Sequence, residues 1–233
     1  YDLDGKLLQE LPVGRLNNVD VRAGFDLGGS TVDLAVASNR DHDSIHLFAI
    51  DRVSGELREA GEIRTPIKEI YGICLFQPAS GELYAFANSK DGSFLQYRLE
   101  GSSGEIKGEL VRRFAVDSQP EGCVADDQRQ RLFLGEEDAG VWAVDARPDG
   151  PTELTAVISV GEVLKADVEG LGLYQGGAQD YLVISSQGND SYVGGPWSDG
   201  LLVVQDGRKR MPESTQNFKL VPWNEVSQAL GLD

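Results

Sequence analysis

An all-β fold built on a repeated unit is what this chain predicts, on the strength of three recurring runs. The first is a short strand-like run headed by a polar residue: NNVDV from Asn17, YGICL from Tyr71, EGCVA from Glu121 and EGLGL from Glu169. With Asn18 as the head of the first run, the heads at 18, 71, 121 and 169 lie 53, 50 and 48 residues apart. The second run is VDLAVASNR ending at Arg40, LYAFANSK ending at Lys90, RLFLGEED with Glu136, and YLVISSQG with Gln187, at spacings of 50, 46 and 51. The third run is SIHLFAID, SFLQYRL, GVWAVD and, more faintly, NDSYVG. Each reads as a strand because β-branched and aromatic residues fill it and Gly, Asp and Asn turns bound it. Units of about fifty residues of this kind are the signature of a β-propeller.

The bulk properties fit one domain spanning residues 1–233, long enough for a sizeable core. With 21 Lys and Arg against 38 Asp and Glu, the formal charge is −17, which disfavours nucleic acid or an anionic membrane as a partner. The densest basic cluster, Arg208 to Arg210, reads as a solvated loop. No apolar run reaches the eighteen residues of a membrane-spanning helix. The chain begins YDLDG without Met, so any signal peptide is expected to be gone already or to lie upstream. A monomer is the expected state.

The two cysteines predict nothing about compartment. Cys74 lies three residues after Tyr71 and Cys123 two after Glu121, so period-2 alternation sends them to opposite faces of equivalent strands. Two free, buried thiols are expected.

The polar residues cluster by topology. In a propeller unit the first and second strands are antiparallel, so the start of one and the end of the other share an edge. Asn18, Tyr71, Glu121 and Glu169 head first strands, while Arg40, Lys90, Glu136 and Gln187 close second strands, so all eight should meet at one rim of the central channel. Charged residues at strand ends are commonly just solvated, but eight equivalent polar positions on one face favour a binding surface. Asp167, Glu169, Glu121 and Glu136 would repel an anion and one another, a conflict that cations remove. Oxygen ligands without His or Cys suit a hard ion of the Ca²⁺ type. His42 and His46, at a spacing that means little in a strand, are read as surface or strand residues. Arg40, Lys90 and the Tyr71 hydroxyl supply donors suited to phosphate oxygens.

A family resemblance rests on these same residues. YGICLF, YAFANSKDGSFLQYRL, SQPEGCVADD, LFLGEEDAGVWAVD, DVEGLGLY, SSQGNDSY and QNFKLVPW resemble successive blocks of the β-propeller phytases, and NNVDVR and ASNR resemble their earlier blocks. The likeness runs over nearly the whole chain. It implies a six-bladed propeller of four- to five-stranded antiparallel blades, secreted or periplasmic, that uses several calcium ions to hydrolyse phytate, myo-inositol hexakisphosphate. It also implies that Arg40, Tyr71 and Lys90 serve the phosphate side, and that Glu121, Glu136, Asp167, Glu169 and Gln187 serve the calcium side. Asn18 and Asp20 fall in a block resembling a calcium-lining segment.

The chain also departs from the family. YDLDGKLLQE resembles the end of the first blade, so acidic and lysine-bearing segments expected upstream are absent. YLVISSQG and DGLLVVQDG look like the same strand of consecutive units, yet Gln187 and Gln205 are 18 residues apart instead of about fifty. About thirty residues are therefore expected to be missing near Gly194 to Pro196. Asp199 does not match the family's acidic calcium block there, and Lys209 stands where an Asn is expected.

Rival chemistries find little support. Cys123 and Arg129 have the spacing of a cysteine-phosphatase loop, but VADDQ between them holds two acids and no Gly. RHG, GxxxxGK[ST] and GxSxG motifs are absent. A calcium-dependent lactonase-type propeller and a catalytically inactive calcium-binding propeller remain as alternatives.

Overall fold

The structure is a computed structural model that describes residues 1–204 except 102–103, 177–178, 190 and 197–201. The described strands form four four-stranded antiparallel sheets, each a meander in chain order from its innermost to its outermost strand. The first sheet holds β1 (Leu16–Leu27), β2 (Ser30–Asn39), β3 (Ser44–Ile50) and β4 (Leu57–Arg64). The second holds β5 (Ile70–Phe76), β6 (Leu83–Ser89), β7 (Ser93–Glu100) and β8 (Lys107–Ala115). In the third lie β9 (Pro120–Asp126), β10 (Arg131–Glu136), β11 (Gly140–Asp145) and β12 (Thr155–Ser159), and in the fourth β13 (Val168–Gly176), β14 (Gln179–Ser186), β15 (Ser191–Pro196) and β16 (Leu202–Val204). The innermost strands β1, β5, β9 and β13 contact one another in sequence, which is the architecture of propeller blades.

Burial follows from stacking. A middle strand of a blade is covered on both faces, so β6, LYAFANS, is buried throughout and reads as a continuous apolar run rather than an alternation. Strand β1 alternates instead, leaving Val19 and Val21 exposed. One apolar cluster, including Leu34, Leu47, Ile73 and Leu95, fills the space between the first two blades. A second, with Phe76, Phe86, Phe94 and Leu134, joins blades two and three, and a third, with Phe133, Val168 and Ile184, joins three and four. Each fully buried Phe contributes roughly 1.5–3 kcal/mol. Arg112 on β8 adds a polar tie: its guanidinium lies over Phe86 and Phe114 and donates to the carbonyl of Asp145 at 2.6 Å.

The first fifteen residues form no strand. Leu11 and Val13 cover Ala35, Ala37 and Phe48 on the other face of blade one. Gln9 mimics a ladder partner there, donating to the Leu57 carbonyl at 2.6 Å and accepting from the Leu57 amide at 2.8 Å.

Two expectations are corrected. Residues 202–204 do not begin a further unit; β16 pairs antiparallel with β15 as the outer strand of the fourth blade. The five residues between them are too few for anything but an antiparallel return. Asp199, Gln205, Lys209, Arg208 to Arg210 and the QNFKLVPW block lie outside the described residues. Cys74 and Cys123 are not free thiols but a disulfide between β5 and β9, with Cα atoms 5.8 Å apart. Opposite faces of equivalent strands are what adjacent blades turn toward each other, so the same alternation brings the two sulfurs together.

That disulfide closes a 49-residue separation. Its removal is expected to cost about 2–5 kcal/mol and, at about 2–4 °C per kcal/mol for a chain this long, to lower Tm by roughly 4–20 °C. Melting with and without reductant, and of Cys74→Ser with Cys123→Ser, checks this; identical curves would show that the bond does not form.

Candidate functional site

The rim is built by one backbone irregularity repeated four times. At the start of every inner strand, two residues stand against one on the second strand: between the pairs Leu16–Asn39 and Val19–Ala37, and again between Ile70–Ser89 and Ile73–Ala87. Pro120 to Cys123 and Val168 to Leu171 repeat it. Such a bulge re-aims the side chains it carries. Its first position holds Asn17, Tyr71, Glu121 and Glu169, and its second Asn18, Gly72, Gly122 and Gly170. The head of the first unit is therefore Asn17, one residue earlier than the pattern NNVDV suggests.

The second strands are closed by an equally regular contact. The amides of Arg40, Lys90, Glu137 and Gln187 donate to the carbonyls of Arg15, Glu69, Gln119 and Asp167, at 2.9, 3.4, 3.0 and 2.9 Å. These four positions lie 50, 47 and 50 residues apart, a more even spacing than Glu136 allows. Glu136 is not at the rim. It is 2% exposed, and its carboxylate accepts from the Ser118 amide and hydroxyl, both at 2.6 Å, and from Trp142 Nε1 at 2.7 Å. Glu137, which the sequence reading passed over, takes its place.

Arg40, Tyr71 and Lys90 come together. The Arg40 guanidinium carbon is 5.2 Å and Lys90 Nζ 4.6 Å from the centre of the Tyr71 ring, so a tyrosine from blade two is shared by a cation of blade one and a cation of its own blade. Burial first, then the negative Glu121 and Glu169 nearby, push the Tyr71 hydroxyl above its ordinary value, and Arg40 opposes them. The hydroxyl is thus a neutral donor at any physiological pH.

The acids gather across blades three and four. Burial, a hydrogen bond shared with Glu137 and the charge of Glu169 push Glu121 up to about 8. Burial also raises Glu169, followed by the charges of Glu137 and Asp167. Gln119, a further residue that sequence reasoning missed, donates its amide to Glu121 at 3.2 Å and also to Glu137. Gln187 is exposed in a short 3₁₀ turn at the same edge.

Other candidates are engaged elsewhere. Asp20 accepts from Arg22 at 2.9 Å and from the Leu75 amide at 2.8 Å, while Arg22 reaches Asp127 at 2.9 Å, a tie between inner strands lower in the channel. His46 is a buried strand residue stacked on Phe48 and 3.2 Å from Glu59, and His42 sits 2.8 Å from Glu62. Cys123, bound in the disulfide, offers no nucleophilic thiolate.

Among the described residues no three acidic, His or Cys side chains converge as one ready-made metal cage. What the rim does hold is two cations about a tyrosine beside a mutually repelling set of carboxylates. Residues 1–194 match the family model for phytase. The chain belongs to the phytase family. It is 35% identical to the 3-phytase of Bacillus subtilis (strain 168) over 281 aligned positions, covering 99% of this chain and 74% of that protein. Since 281 exceeds the 233 residues of this chain by 48, part of the phytase relative has no counterpart here, in keeping with an internal deletion. Solved structures support the fold alone. A functionally unknown protein from Desulfotomaculum acetoxidans DSM 771 superposes with a TM-score of 0.58 at 17% identity, over 84% of this chain and 59% of that one. Saccharomyces cerevisiae Sqt1 gives 0.51 at 14%, over 79% and 46%, so the chain spans less than two thirds of either.

The one-residue difference between Glu136 and Glu137 is testable. Glu136→Gln weakens charge-assisted bonds worth about 1.5–3 kcal/mol each, so it should lower Tm and leave Ca²⁺ titrations unchanged. Glu137→Gln should do the reverse. Calorimetric Ca²⁺ titration alongside thermal melting decides between them, and a Glu136→Gln variant with weakened Ca²⁺ binding would return Glu136 to the rim.

Proposed function

We propose that this phytase-family chain releases phosphate from myo-inositol hexakisphosphate in a calcium-dependent reaction. The observation that carries the reading is the arrangement of Arg40 and Lys90 about Tyr71, on the same rim as Glu121, Glu137 and Glu169. A polyanionic substrate needs cationic donors, and a set of carboxylates beside it needs neutralising before any phosphate can approach.

The donor set fits a hard cation. Glu121 is driven up because burial and its neighbours disfavour its charge, and a cation would relieve both terms. The residues that would hold calcium are Glu121, Glu137, Asp167, Glu169 and Gln187, each ion taking a few of these with water and backbone oxygens. Bound there, calcium would neutralise substrate phosphates and make a coordinated water more acidic.

The chain's own groups supply the rest. Arg40 and Lys90 bind phosphoryl oxygens and hold the charge that grows on them as the ester bond breaks. Tyr71, whose ring both cations overlie, donates a neutral hydroxyl and helps keep both in place. Because the cationic and acidic halves come from different blades, a ring bearing neighbouring phosphates suits the rim better than an isolated phosphomonoester. The Cys74–Cys123 disulfide supports an oxidising compartment, hence a secreted or periplasmic protein, and the charge of −17 speaks against nucleic acid and anionic membranes as partners. No helix among the described residues is long and apolar enough to cross a membrane. Cations at the rim favour this reading over a lactonase, which would call for an apolar pocket.

Chelation with EGTA should abolish phosphate release from phytate and lower Tm, with Ca²⁺ restoring both. A protein active and equally stable in EGTA would remove calcium from the mechanism, and one that binds Ca²⁺ but releases no phosphate would be an inactive binding propeller. Arg40→Ala or Lys90→Ala should cut turnover at least about tenfold with little change in Tm, since each charge-assisted bond to a transition-state oxygen is worth roughly 1.5–3 kcal/mol. Full phytase activity in either variant would take that residue off the substrate.

A further inference from the structure

The two halves of the rim are carried by different blades, so their separation depends on how one blade is seated on the next. Two buried polar side chains stand at those seams. Asn88 is 0% exposed and lies two residues before Lys90 on β6. Its Oδ1 accepts from the Gly72 amide of its own blade at 2.6 Å, and its Nδ2 donates to the Glu121 carbonyl of the next blade at 3.2 Å. Ser38, also 0% exposed and two residues before Arg40, repeats the connection one blade earlier. Its hydroxyl accepts from the Asn18 amide at 3.2 Å and donates to the Tyr71 carbonyl at 2.5 Å. In both, the side chain takes the amide of the second bulge residue and gives its proton to the carbonyl of the first bulge residue next door.

The fit is tight. A Cβ on Gly72 would stand 2.4 Å from the Glu121 carbonyl oxygen and 2.5 Å from Asn88 Nδ2, so no larger residue leaves the clasp intact. At the next seam the equivalent position is Gly135, which has no side chain to give, and the backbones meet directly: a Cβ on Gly122 would lie 2.9 Å from the Glu169 carbonyl. The clasps therefore hold Tyr71 and Glu121 and stop before Glu169.

We infer that Ser38 and Asn88 are positioning residues of the rim: Ser38 sets Tyr71 against Arg40, and Asn88 sets Glu121, and with it the acidic half, against Tyr71 and Lys90. The inference rests on the phytase reading above. Neither residue touches substrate. Each works by fixing the peptide from which a rim side chain springs, and a displacement of about 1 Å at such a site can cost on the order of a hundredfold in rate.

The test measures phytate turnover and calorimetric Ca²⁺ titration on four variants, all assayed well below their Tm. Asn88→Ala should lower kcat at least about tenfold and weaken Ca²⁺ binding severalfold. Asn88→Ser, which installs the hydroxyl that the preceding seam already uses, should recover most of both. Ser38→Ala should lower kcat about threefold to tenfold while leaving Ca²⁺ binding at the parental value, and it carries the test if Asn88→Ala fails to fold. Arg112→Met loosens the same pair of blades away from the rim, and should lower Tm with kcat and Ca²⁺ binding unchanged. Parental kcat and Ca²⁺ binding in Asn88→Ala would overturn the inference, as would equal losses in Arg112→Met, which would mean that general loosening is responsible. A parent protein that neither binds Ca²⁺ nor releases phosphate fails at the phytase reading instead, a result recognisable before any variant is made.

Discussion

The extra residue at the entrance of each inner strand is the constraint on which the rim depends. Opposing two residues to one bends the strand and presents its first bulge residue at the blade edge, in the same way in all four blades. The first position is thereby released from the ladder and can carry Asn, Tyr or Glu without disturbing the sheet. The second faces the neighbouring blade at close quarters at Gly72 and Gly122, which is why only glycine fits at those two positions. Function and packing are thus separated by a single residue step.

That separation lets charge be distributed by blade. Blades one and two bring Arg40 and Lys90, and blades three and four bring Glu121, Glu137, Asp167 and Glu169. Tyr71 lies where the two sets meet, and its hydroxyl responds to Glu121 and Arg40 together. The elevation of Glu121 to about 8 is the electrostatic consequence of folding acids onto adjacent blades in a buried place. Blade stacking imposes this repulsion, and the apolar seams hold the acids in place against it.

Those seams combine several kinds of contact. Aromatic and aliphatic clusters fill the space between facing sheets. The second seam carries further ties, among them the Cys74–Cys123 disulfide near the channel, Asn88 at the rim, and Arg112 toward the outer strands. It is also the seam that joins the blades carrying Arg40 and Lys90 to the blades carrying Glu121, Glu137 and Glu169.

Much of this was legible in the residues. A fifty-residue period of polar-headed apolar runs determined the repeated sheets, because each unit must bury both faces of its middle strands against its neighbours. The same period placed Arg40, Tyr71, Lys90, Glu121 and Glu169 at one edge. Register was not legible. A bulge shifts the register of its strand while leaving composition unchanged, which separates Asn17 from Asn18, and two adjacent glutamates at the end of an unbulged second strand leave composition silent on whether Glu136 or Glu137 reaches the rim. Nor could strand alternation say which faces meet: only the stacking of adjacent blades turns the face bearing Cys74 toward the face bearing Cys123. The sequence by itself determined what each blade carries, through local periodicity. The tertiary structure decided which carried groups touch, because those contacts run between units some fifty residues apart and are set by the seating of one sheet on the next.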